Sequence, residues 1–299
     1  MTNPSHHKKK KSNIVFRISL AVFIICLCIL AYLFWTYFSG QKEYDELKQY
    51  CDIEGKTLAD VTIDWDSLRG INGDVVGWVY MPDTVISYPI VWKQNDDNYY
   101  LYHNFNNCST QFGAEYGCIF LSGSNKNDFS DNTNFIFGHN MWNGSVFSVF
   151  SDEQGKSDWF NNHRVIYVFT PAGNFKLKTY AQNKVASTAT DVVYTSFGTT
   201  QQLQNYATER INSSIVEANN NKSSTEMTKL FSFSTCSSPD DNNRIITFSD
   251  VDEYYCFSDQ SKNIGLLEGS RGSIVSNSLQ EQVTNDSSAR RLPIRLRAA

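Results

Sequence analysis

Seven cysteines and five histidines are spread over 299 residues, and their placement limits the chemistry they can do. Cys26 and Cys28 sit inside an uncharged apolar run and read as small hydrophobic fillers. The remaining five, Cys51, Cys108, Cys118, Cys236 and Cys256, form neither a disulfide framework nor a paired CxxC for zinc. At least one free thiol is therefore expected, and neither a metal nor a cofactor is. Cys118, within GCIFL, reads as a buried small hydrophobe. Cys236 ends the apolar-alternating run KLFSFSTC, where a side chain at a strand terminus can face a cleft. A cysteine becomes a nucleophile when a neighbouring base or cation holds its thiolate. His6 and His7 precede the apolar run, which leaves His103, His139 and His163 as partners. His139 follows an apolar strand end in NFIFGHNM, with Gly138 permitting close backbone approach and Asn140 able to hydrogen-bond locally. His103, in YYLYHNF, and His163, in NNHR, read as packing or surface residues. Arg244 lies eight residues past Cys236, across the turn-forming SSPDDNN, so a hairpin brings both side chains to the same end of a sheet.

The elements that must position these groups are mostly strands. Short β-rich runs occur at 75–81, 85–92, 117–121 and 134–137, separated by turn residues such as Pro82-Asp83 and Gly123. RVIYVFT and NFKLKTYAQ, joined by Pro171-Ala172-Gly173, read as a hairpin, and 229–236 with 244–251 as the last two strands. Leu203, Tyr206, Ala207 and Ile211 recur at helical spacing between those pairs. Strands dominate and helices decorate them, which predicts a mainly β fold: a closed or nearly closed barrel of about eight strands. Residues 41–70 read as an N-terminal helical segment, 71–257 as the barrel, and the Asn/Ser-rich stretch 212–225 as an exposed loop. Residues 258–299 lack periodicity and are too polar to bury much surface, so they read as a disordered tail.

Residues 18–38 form an apolar run of about the 20 residues that span a bilayer as a helix. Lys8 to Lys11 and Arg17 precede it, so residues 1–17 are expected in the cytoplasm and everything after Gly40 outside. A cleavable signal peptide is the rival reading, but the run is longer than an ordinary signal core and no small-x-small site closes it. Residues 41–289 hold all 31 Asp and Glu against 17 of the 26 Lys and Arg, which speaks against nucleic acid as a partner.

Several linked stretches resemble class B sortases in order, spacing and type: INGDVVGWVYMPDTVISYPIVWKQNDDNYYLYHNF at 71–105, GCIF at 117–120, FGHNM at 137–141 and FSFSTCSSPDDNNRIITF at 231–248. The resemblance implies a sortase-type closed eight-stranded barrel with N-terminal helices and a helix before the penultimate strand. It also implies a catalytic set of Cys236, His139 and Arg244, with Ser234, Thr235 and Asn140 as substrate-binding positions. The sequence departs from the family pattern at Phe137, where Tyr is common, and at Ser232 and Phe233, where Thr and Leu are usual. The implied activity is transpeptidation. A C-terminal sorting signal of the NPxTN type on a secreted protein is cleaved, and the new carboxyl terminus is joined to an amine of the peptidoglycan cross-bridge or its lipid-linked precursor. The alternatives are a pilin-polymerising sortase, although its second membrane span and aspartate-aromatic lid pattern are lacking, and an inactive sortase-like binding module.

Overall fold

The computed structural model describes residues 6–107, 117–189, 191–236 and 242–257; the expected tail, 258–299, and Cys108 lie outside them. Helix α1, His6–Leu47, carries the apolar run and continues past it. Its stretch Asn13–Tyr32 has a mean hydropathy of 2.8 and none of it is buried, so one helix is long and apolar enough to cross a membrane. Side chains such as Phe23 and Ile25 have no protein to pack against, as fits a membrane anchor. The C-terminal end of the same helix is different in kind: Tyr44 and Leu47 belong to the core of the barrel domain.

A small sheet follows, pairing β1, Cys51–Asp52, with β2, Thr62–Ile63. Strands this short carry no readable alternation, which is why 41–70 looked wholly helical. Helix α2, Trp65–Ile71, starts where the Asp64 carboxylate accepts the Ser67 N–H at 2.9 Å, an N-cap that satisfies a donor with no partner inside the helix.

Eight strands then close a barrel: β3 Val75–Tyr80, β4 Ser87–Trp92, β5 Ile119–Leu121, β6 Thr133–Phe137, β7 Val165–Thr170, β8 Gly173–Ala186, β9 Leu230–Cys236 and β10 Asn243–Cys256. Their order around the barrel is β10-β8-β7-β3-β4-β5-β6-β9. Both expected hairpins form, β7 with β8 and β9 with β10. Two pairs are parallel, β4 with β5 and β6 with β9. Helices α3, Ser148–Asp152, and α4, Ser157–Asn162, precede β7. Helix α5, Thr200–Asn212, precedes the penultimate strand and is capped by reciprocal Thr199 and Gln202 bonds. Tyr206 on α5 packs edge-on to Phe248 of β10, 6.1 Å between ring centres. A cluster of Phe147, Phe150 and Phe233 ties α3 to β9.

Candidate active site

Strand register brings the two ends of the expected catalytic set together. In the antiparallel β9–β10 pair, Cys236 lies opposite Arg244 in the strand register. In the parallel β6–β9 pair, Phe137 lies beside Ser234, and the Gly138 N–H donates to the Ser234 carbonyl at 3.1 Å. His139 follows directly after Gly138, so the backbone ends that carry 139, 236 and 244 lie at the same end of the barrel.

The backbone around His139 is held on both sides. Its carbonyl accepts the Phe147 N–H at 3.1 Å, and the bridge Asn140–Val146 closes the loop that follows. Gly138 is required there, because a β-carbon at that position would fall 2.6 Å from the Phe147 ring. Val146 takes φ = 59°, a left-handed conformation that costs a β-branched residue energy, and its N–H donates to the Tyr88 hydroxyl at 3.1 Å. The imidazole is fixed too: Nε2 lies 2.8 Å from the Leu101 carbonyl oxygen. A carbonyl only accepts, so Nε2 carries the proton in the neutral ring.

Arg244 is buried, only 9% exposed, between β8 and β9, with Val185 opposite it on β8. Asp97, in the segment between β4 and β5, lies within its field. Burial pushes the Asp97 carboxyl up from its ordinary range, and the Gly123 N–H at 2.6 Å, the Ser122 hydroxyl and the Arg244 charge pull it back. Sequence reading singled out neither Asp97 nor the Leu101 carbonyl. Asp97 is one acid among several in the polar run KQNDDN, and a main-chain carbonyl leaves no mark in the sequence.

The three expected substrate-binding residues are placed as follows. Ser234 and Thr235 are buried in β9, and Thr235 Oγ1 has no hydrogen-bond partner among the described residues. Asn140 is half-buried and its Nδ2 donates to the Ser151 hydroxyl at 3.1 Å. His103 and His163 are structural. Each donates Nδ1–H to the carbonyl four residues back, Tyr99 at 2.8 Å and Trp159 at 2.9 Å, and stacks on that residue's ring.

Two other described thiols, Cys51 and Cys118, are poorly suited to nucleophilic work. Burial pushes the Cys51 thiol up to about 12 and raises that of Cys118 well above its ordinary value. Cys118 is an unbridged thiol that accepts a bond from the Tyr44 hydroxyl at 3.4 Å. Among the described residues no group of three or more His, Cys, Asp and Glu could hold a metal ion.

No family model matches the chain. Among curated proteins, Sortase B of Listeria monocytogenes is 32% identical over 176 residues, covering 58% of this chain and 67% of the relative. Sortase B of Staphylococcus aureus is 24% identical over 237 residues, covering 77% of this chain and 91% of the relative. Among solved structures, a protein of Bacillus anthracis described as similar to sortase B superposes with a TM-score of 0.59 at 24% identity, over 72% of this chain and 96% of its own. A Staphylococcus aureus sortase B–substrate complex does so with a TM-score of 0.58 at 20% identity, over 71% and 95%. The structural likenesses bear on the fold, and the Listeria relative, at its identity and coverage, bears on the family. With this barrel and this gathering of residues at its end, the chain belongs to the sortase B family of transpeptidases.

Proposed function

We propose that the chain cleaves an NPxTN-type sorting signal of secreted proteins through a thioacyl intermediate on Cys236 and passes the acyl group to a peptidoglycan amine. The observation that supports this reading is the register that sets Cys236 opposite Arg244 and runs β6, which leads into His139, alongside β9. The Cys236 thiolate adds to the carbonyl carbon of the signal's Thr. As the C–N bond breaks, His139 gives its Nδ1 proton to the departing amine, leaving a thioester. The acceptor amine then adds, loses its proton to Nδ1, and the C–S bond breaks to restore the thiolate. Arg244 steadies the oxygen on which negative charge develops in both steps, with a fixed fork of donors held in a buried setting. Ser234 and Thr235 build the strand end along which the peptide lies, and Asn140 borders it.

Helix α1 supports single-pass anchoring, with the basic segment 1–17 in the cytoplasm and the barrel outside. Anchoring holds the enzyme beside both the emerging substrate and a lipid-linked acceptor, which raises their effective concentration. The test uses the full chain in vesicles with a fluorogenic NPxTN-type peptide and a glycine-based amine. Cys236→Ala is expected to lower turnover about 10³-fold or more with the fold retained; a variant that turns over at the wild-type rate removes Cys236 from the reaction.

A further inference from the structure

Buried tyrosine hydroxyls need partners, and the partner that Tyr44 has chosen links the anchor helix to the active site. Tyr44 is 1% exposed near the C-terminal end of α1, and its one hydroxyl proton goes chiefly to the Gly117 carbonyl at 3.0 Å, with Cys118 Sγ a longer shared contact at 3.4 Å. Gly117 is wedged against the catalytic imidazole. A β-carbon there would lie 2.8 Å from His139 Nε2, 2.4 Å from the Tyr100 carbonyl oxygen and 2.6 Å from that of Leu101. The next residue, Cys118, donates its N–H to Tyr100 O at 2.9 Å. Gly117 and Cys118 thus press the 100–101 backbone into place, and Leu101 O is the acceptor of the Nε2 proton.

The same helix end grips the site from two more directions. Glu43, beside Tyr44, accepts from Asn104 Nδ2 at 2.9 Å and from the Asn106 N–H at 3.3 Å, holding the segment that carries Leu101. The Tyr44 ring also packs edge-on to Tyr88, 5.5 Å between centres, and Tyr88 receives the Val146 N–H from the loop after His139.

We propose that Tyr44 is a positioning residue for His139, acting through Gly117 and the Tyr100–Leu101 backbone, so that the membrane-proximal end of α1 is part of the active-site support. The inference rests on the reading that His139 exchanges the proton in the reaction. When the Gly117 anchor is lost, the Leu101 carbonyl is less firmly presented and the imidazole samples its other tautomer and other orientations, which lowers the fraction of enzyme ready to react.

Tyr44→Phe in the full chain keeps the ring and removes only the hydroxyl. The expected result is a three- to tenfold fall in kcat, roughly the worth of one hydrogen bond. KM stays within about twofold and Tm nearly unchanged, and the ¹⁵N spectrum of His139 shifts from the Nε2-protonated tautomer toward a mixture; His139→Gln assigns that signal. Leu47→Ala is the control, because Leu47 is buried on the same helix and its apolar side chain has no group to hydrogen-bond Gly117 or its neighbours. It should lower Tm while leaving kcat per folded molecule and the His139 spectrum in place. A Tyr44→Phe enzyme with wild-type kcat and an unchanged His139 spectrum overturns the inference, as does one whose losses simply follow Tm in the manner of Leu47→Ala. If His139→Gln retains turnover, the role of His139 falls instead, and the ¹⁵N spectrum alone decides whether Tyr44 positions the ring.

Discussion

Two arginines of this barrel are buried to the same extent, Arg164 and Arg244, each 9% exposed, and they sit in different surroundings. Arg164, just before β7, is consumed by carbonyl groups. Its Nε donates to the Thr179 carbonyl at 2.8 Å, and its other nitrogens reach Thr179 O, Asn219 O and Asn221 Oδ1. Burial pulls its guanidinium below the ordinary arginine value, and the nearest opposing charge is that of Asp250. It pins the Asn-rich loop before β9 to the barrel wall. Arg244 stands instead where two strands end, opposite Cys236 in the register and under the field of Asp97. Burial of a cation therefore does not mark a site; what the cation faces does.

Exchanging each arginine for lysine should separate the two roles most sharply. Arg244→Lys keeps the charge but loses the fork, and kcat is expected to fall about 10²- to 10³-fold with Tm within a few degrees of wild type. A wild-type kcat in that variant would remove Arg244 from the mechanism. Arg164→Lys should do the reverse. A urea titration is expected to show a loss of about 2–3 kcal/mol from unmade hydrogen bonds to buried carbonyls, while kcat per folded molecule stays within about twofold; a large loss of kcat at unchanged stability would erase the contrast.

A half-buried cation refines the comparison. Lys229 donates to the Asp131 carbonyl at 2.6 Å and lies over the Phe175 and Phe231 rings, and burial pulls its ammonium down to about 8 from 10.5. The folded state thus gives up this proton more readily than the unfolded chain. Its contribution to stability is present above 10.5 and is lost as pH falls through about 8. Stability should rise between those two pH values, measured by denaturant unfolding, and Lys229→Met should flatten that rise without altering turnover. A rise that persists in Lys229→Met would assign it to other groups.

The same contrast explains what could be read in the sequence. The hairpins that carry Cys236 and Arg244 were legible because alternation and turn residues are local, and His139 was reached by elimination among few histidines. The expected exposed loop at 212–225 is largely exposed, yet nothing in its composition revealed that a buried arginine from before β7 holds it. The parallel pairs β4–β5 and β6–β9 were not legible, since they join segments far apart in the chain and parallel partners leave no turn between them. Tyr44 reads as an ordinary helix position and Gly117 as the start of a β-rich run, because the contact between them spans 73 residues.

The account stands on Cys236 as the residue that carries the acyl group. Trypsin cleaves after Lys229 and Arg244, so peptide 230–244 contains Cys236 and no other cysteine. The full chain is incubated with an NPxTN-type peptide in the absence of amine, quenched in acid and digested. The account predicts the acyl mass on peptide 230–244, discharged by hydroxylamine and absent in Cys236→Ala. An acyl mass on a peptide carrying Cys118 or Cys256, or product formed with no thioester on 230–244, would contradict it.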